Sequence, residues 1–63
     1  MMGRKRELRR VDAVAREFGI DRDEFGAYLH ECKAHGDFGT ENDRGDFNWE
    51  ELRQKAREFK DLQ

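Results

Sequence analysis

At 63 residues the chain has room for one hydrophobic core and no second domain, and a chain this short buries only about 60% of the surface it exposes when unfolded. Charged residues make up 44% and apolar ones 35%, a balance close to disorder, so folding depends on where the apolar residues fall. A single cysteine, Cys32, excludes an intramolecular disulfide. The lack of any long apolar run excludes a membrane span or signal peptide, so the chain reads as cytoplasmic, or as part of a larger exported system.

The first ten residues carry Arg4, Lys5, Arg6, Arg9 and Arg10 against Glu7, a formal +4, and with a whole-chain charge of −2 the other 53 residues carry −6. A basic arm, residues 1–10, thus runs into an acidic body, a single domain over residues 6–63. Such an arm suits weak, salt-sensitive contact with phosphate, or is simply a solvated helix start. From there Leu8, Val11, Val14 or Ala15, and Phe18 recur at steps of three and four, which predicts a first helix over about 6–18. Gly19 suits the left-handed position just past its end. Asp21 is a natural N-cap, with Glu24 three residues on to complete a capping box and Ile20 placed to staple onto Phe25. The second helix then covers about 21–35, with Phe25, Tyr28, Leu29 and Cys32 on its apolar face, and Gly36 stops it.

Residues 36–47, GDFGTENDRGDF, have the glycine and polar content of a loop, long for so small a protein, with Phe38 and Phe47 expected to pin its two ends to the core. A short extended piece around either aromatic is the only strand-like prospect. Asn48 repeats the helix-start signal, with Glu51 at the third helical position and Phe47 stapled to Leu52. The third helix is expected over about 48–61, burying Trp49, Leu52, Ala56, Phe59 and Leu62. The fold class is therefore all-α: three helices packed through Leu8, Val11, Phe18, Ile20, Phe25, Leu29, Trp49, Leu52 and Phe59. Truncating Trp49 or Phe25 to alanine is expected to cost about 3–5 kcal/mol if both are central.

Four local patterns bear on chemistry. Residues 14–30, VAREFGIDRDEFGAYLH, resemble a helix-turn-helix in the placement of Ala15, Gly19 and the apolar residues, as close crossing over a tight turn requires. The recognition helix it implies exposes Asp21, Asp23, Glu24 and Glu31 with Arg22 as its only early cation, and carboxylates repel a phosphate-lined groove. Residues 40–51, TENDRGDFNWEE, look like a worn calcium loop of the EF-hand kind, with Gly45 at the sixth position and Glu51 at the twelfth. Thr40 stands at the first and the cation of Arg44 at the fifth, which argues against calcium. Within the same stretch, Arg44-Gly45-Asp46 spells an adhesion tripeptide whose glycine has a turn to make.

His30, Cys32 and His35 are close in sequence, but each helical residue advances about 100°, so Cys32 lies about 200° round from His30 and the three do not converge on a metal. His30 or His35 with Glu31 or Asp37 leaves a minimal nuclease as an alternative. No metal or cofactor is expected.

The run FGIDRDEFGAYLHECKAHGD followed by GTENDRGDFNWEELRQKAREF is similar to short C-terminal segments of bacterial polymorphic toxin proteins, through Phe25-Gly26, the glycine-bearing loop, Gly45-Asp46-Phe47 and the closing helix from Glu51-Leu52 to Phe59. The resemblance runs from Val11 to Phe59, about three quarters of the chain, includes no catalytic signature, and implies a setting in microbial conflict. The functional expectation is a protein-interaction module that binds through Asp21, Asp23, Glu24, Asp37, Glu41, Asp43, Arg44 and Asp46. Weak nucleic-acid contact is expected through Arg4, Lys5, Arg6, Arg9 and Arg10. A protein partner is expected and a membrane is not.

Overall fold

A computed structural model describes the backbone of residues 2–63 and the side chains of residues 7–63. It holds three helices, α1 (Met2–Phe18), α2 (Arg22–Ala34) and α3 (Trp49–Leu62), with no strand among the described residues. The extended piece considered around Phe38 or Phe47 is therefore not a strand, although Gly39 N–H donates to Gly45 O at 2.8 Å and Glu41 N–H to Asp46 O at 3.0 Å. The first helix begins at Met2 instead of about residue 6, in line with the high helix propensity of Arg, Lys and Glu.

Both α1 and α2 end in the same way. Gly19 (φ 67°) lets Ile20 N–H reach back to Ala15 O at 2.8 Å, and Gly36 (φ 87°) lets Asp37 N–H reach Cys32 O at 2.9 Å, the pairing that satisfies a helix's last carbonyls. The two expected start signals fare differently. Asn48 closes a full capping box with Glu51 at 2.8 and 2.9 Å. Asp21 does cap α2, but its carboxylate accepts from Asp23 N–H at 2.9 Å and Glu24 stays exposed, so the expected Asp21–Glu24 box is not made.

Contacts give the directions. Glu7 lies against Phe47 at the start of α3, and Lys60 donates to Phe18 O at 3.1 Å near its end, so α1 and α3 run the same way. Lys33, late in α2, meets Glu7, while Phe25, early in α2, meets Phe59 with ring centroids 6.1 Å apart, so α2 runs opposite to both. The core between them is Val11, Val14, Ala15, Ile20, Phe25, Leu29, Phe47, Leu52 and Ala56, with Phe18, Tyr28, Cys32 and Phe59 packed at its edge.

Two expected core residues are not in it. Leu8 is 59% exposed and Trp49 46% exposed, the latter on the first turn of α3 with the Arg53 guanidinium 5.7 Å from its ring. The buried stripe of α3 is Leu52 and Ala56, with Phe59 half-buried, and Leu62 is exposed too. Phe47 takes the central place that Trp49 was expected to hold.

Candidate functional site

The connection from His35 to Asn48 is the longest non-helical part of the chain, and side chains fix its shape. Asn42 organises the tip: its Oδ1 accepts from the N–H groups of Arg44 (3.0 Å) and Asp46 (3.3 Å), and its Nδ2 donates to Asp46 Oδ2 at 2.9 Å. Gly45 N–H donates to Asn42 O at 3.1 Å, closing a turn whose fourth residue, Gly45, then takes a positive φ (83°). The Phe38 ring lies directly over Gly45, where a Cβ would meet it at 2.9 Å. Gly39 is required by close approach, since a Cβ there would sit 2.2 Å from Asp46 O.

Carboxylates tie this connection to the helices at several points. Glu7 of α1 accepts from Lys33 Nζ at 2.8 and 3.0 Å and from Phe47 N–H at 2.7 Å. Asp46, only 7% exposed, lies 3.8 Å from both Lys33 Nζ and Arg44. Glu51 of α3 accepts from Thr40 N–H (3.0 Å), Thr40 Oγ1 (2.9 Å) and Asn48 N–H (2.9 Å). Burial pushes the Glu51 carboxyl up, but the N–H groups of Asn48 and Thr40, the Thr40 hydroxyl and the Lys55 charge outweigh it, and the group sits below its ordinary value. Asp37 pairs with Lys55, which also lies 3.4 Å from Glu58. Burial lowers Lys55, yet the hydrogen bond to Asp37 and the nearby Cys32, Glu58 and Asp37 charges leave it raised. The lone tyrosine, Tyr28, donates to the same Glu58 at 3.3 Å, and burial followed by Cys32 and Glu58 pushes its phenol up to about 12.

The expected binding residues separate into distinct places. Asp21, Asp23 and Glu24 are exposed at the start of α2, whereas Asp37, Glu41, Asp43, Arg44 and Asp46 follow its far end, about 20 Å away for thirteen helical residues. Within the connection, Glu41, Asp43 and Arg44 face solvent, Asp37 is exposed but paired with Lys55, and Asp46 is internal, a part of the scaffold. Of the basic arm, Arg9 is exposed. The Arg10 side chain is 11% exposed and lies 3.9 Å from Glu41, so it braces the connection, and its Nε is buried without a partner. The side chains of Arg4, Lys5 and Arg6 lie outside the described residues.

Two features escaped the reading of the sequence. Phe38, expected to pin the connection to the core, is 57% exposed and lies on its outer surface, and the Glu7–Lys33 pair that anchors the connection joins residues 26 positions apart. An aromatic sandwiched between Asp37 and Gly39 was the available hint for the first; nothing local signals the second.

In the calcium-like alignment, the first and twelfth positions do come together, but as a Thr40–Glu51 hydrogen-bonded pair whose carboxylate is filled by N–H and O–H donors. No group of three His, Cys, Asp or Glu side chains among the described residues is arranged to hold a metal ion. His30 and His35 are both exposed, and His35 lies 3.6 Å from Glu31. Among the described residues no helix is long and apolar enough to cross a membrane. No protein-family model, no curated protein and no solved structure matches the chain.

Proposed function

We propose that this chain is a protein-interaction module that binds through the outer face of the connection between α2 and α3, by surface complementarity and without chemistry of its own. The observation that carries it is the pairing of a tightly built connection with an exposed Phe38 beside the charged Asp43 and Arg44. Ordering a loop in advance removes entropy that a flexible one would lose on binding, and an exposed aromatic next to an arginine is the composition of an interface hot spot. Among the described residues, clefts of about 140, 240 and 270 Å³ lie below the ~300 Å³ at which small-molecule sites usually begin. That difference favours a macromolecular partner. The similarity to polymorphic toxin segments makes a bacterial conflict system the setting of choice, and the acidic Glu41 and Asp43 favour a partner with basic groups.

A helix-turn-helix role for α1 and α2 is the second reading. The three-residue turn Gly19–Asp21 and the backward hydrogen bond of Ile20 favour that geometry. Against groove binding stand Asp21, Asp23 and Glu24 at the head of α2, so any nucleic-acid contact falls to the basic first ten residues and is salt-sensitive and without sequence preference.

Pull-down from a bacterial lysate, paired with RNA and DNA cleavage assays with and without divalent metal, tests the choice. The expected result is one stoichiometric partner, lost in Phe38→Ala and Arg44→Glu and retained in His30→Ala and His35→Ala. Robust nuclease turnover abolished by either histidine substitution would overturn the proposal. Tight, sequence-selective DNA binding that survives high salt would promote the second reading.

A further inference from the structure

Thr40 is the only threonine of the chain and there is no serine, so apart from the half-buried Tyr28 phenol, which donates to Glu58, it carries the only side-chain hydroxyl. It is exposed and lies in the connection, outside any helix. Its Oγ1 donates to Glu51 Oε2 at 2.9 Å and accepts from Asn48 Nδ2 at 3.3 Å, while its N–H donates to Glu51 Oε1 at 3.0 Å. Glu51 is also the carboxylate that closes the capping box of α3 through Asn48 N–H. One side chain thus holds both the head of a helix and the middle of the connection, and the Thr40 hydroxyl supplies one of its three donors. Glu41 and Asp43, both exposed, set carboxylates at the first and third positions after that hydroxyl.

We propose that Thr40 is a phosphorylation site, and that a phosphoryl group there releases the connection from the head of α3. The donor is a nucleoside triphosphate, and the catalyst is a protein kinase whose cationic groups read carboxylates placed after the target hydroxyl. The Oγ1–P bond forms as the bond from the γ-phosphorus to the β-phosphate oxygen breaks; the hydroxyl proton passes to the kinase's base, and a nucleoside diphosphate leaves. The product oxygen has no proton to give Glu51, and the group sets a charge of about −1.5 to −2, with acceptor oxygens only, beside a carboxylate. The nearby cations are engaged elsewhere. Lys55, whose charge acts on Glu51, is paired with Asp37 and Glu58, and Arg10 lies against Glu41. The repulsion is therefore relieved by separation. Because Phe38 stands two residues before Thr40, this release would regulate the interaction surface proposed above.

Incubating the full chain with ATP and a protein kinase that prefers acidic sequences, followed by mass spectrometry, tests the site. One phosphate on Thr40 is expected, and none in Thr40→Val; no transfer to Thr40 overturns the assignment. Hydrogen exchange on the phosphorylated chain, made with the kinase or by chemical synthesis, tests the release. Amides of residues 37–48 should exchange about tenfold faster or more, with helical circular dichroism and the Ile20 amide unchanged. Thr40→Val, which loses only the hydroxyl's hydrogen bonds, should quicken them about two- to threefold. In Glu51→Gln the facing charge is gone, so phosphorylation should add little to the effect of the substitution itself. Unchanged exchange after phosphorylation, or an equal acceleration in Glu51→Gln, overturns the release. None of these measurements involves a partner, so failure here and failure of the protein-interaction reading are told apart.

Discussion

The two connections of this protein start from the same geometry and are then held by different physics. After α1, Gly19 turns the chain and three residues later α2 has begun, closed by backbone hydrogen bonds and by Ile20 buried in the core. After α2, Gly36 makes the same turn, but fourteen residues, His35 to Asn48, separate Ala34 from Trp49, and that path is held mainly by carboxylates: Glu7, Asp46, Glu51, Asp37 and Glu41 each meet a donor or cation. The first corner depends mainly on burial and backbone hydrogen bonds, with the Asp21 cap and the Lys60–Phe18 contact as its charged attachments among the described residues. The second depends on ionised groups, so its order is adjustable while the helices stay folded.

The largest effect belongs to the core that the short corner completes. Phe25→Ala removes a fully buried ring between α2 and α3 and should cost about 3–5 kcal/mol, enough to unfold most of a domain this small, whereas Trp49→Ala at an exposed helix start should cost under about 1 kcal/mol. Thermal denaturation of the two variants ranks them; equal losses would mean that Trp49 is buried after all. Next in size is Glu7→Ala, which leaves the half-buried Lys33 ammonium and Phe47 N–H without their acceptor and should cost about 2–3 kcal/mol. Hydrogen exchange should show faster exchange confined to residues 36–48 in this variant, while the Ile20 amide stays protected. Equal loss of protection at both corners would erase the distinction between them.

Acid provides a finer probe. Because the folded-state Glu51 value is lowered, the stability it contributes is fully present above the unfolded value of 4.5 and is lost as pH falls through the lower folded value. The Thr40 and Asn48 amide signals should therefore shift together in an NMR titration below about pH 4.5, and Thr40→Ala should bring the transition closer to the ordinary carboxylate range. The smallest effect lies at the alkaline end. The Tyr28 phenol, pushed up to about 12, binds its proton more tightly in the folded state, so that stability is present below pH 10 and declines as pH rises from 10 toward 12. Ultraviolet titration of the lone tyrosine should show ionisation near 12 when folded, and the Glu58→Gln variant should bring it down.

The sequence made the helices legible because their signals are local. Gly19, Gly36 and the Asn48–Glu51 box act within four or five residues, and the apolar spacing of Val11, Phe25, Leu29 and Leu52 needs no knowledge of what lies opposite. Trp49 and Leu8 were misplaced because periodicity finds a stripe without saying where along the helix its partner stops; Trp49 lies in the first turn of α3, and Leu8, in the second turn of α1, faces an open groove. Of the candidate surface, Asp43, Arg44 and Glu41 were visible as polar loop residues. What holds them was not, since Glu7 bonds to Lys33 and Phe47 across 26 and 40 positions and such pairs exist only once the helices have packed.

The exposed position of Trp49 has a practical consequence for following this protein optically. It is the sole indole in the chain, about half exposed at the head of α3 beside a guanidinium. Its emission should be red-shifted in the native state and change less on global melting than that of a buried indole. The same dye-like residue follows directly after Asn48, so it will respond to whatever seats or unseats the end of the preceding connection. A fluorescence trace of this protein is a record of that junction, and the core must be followed by circular dichroism.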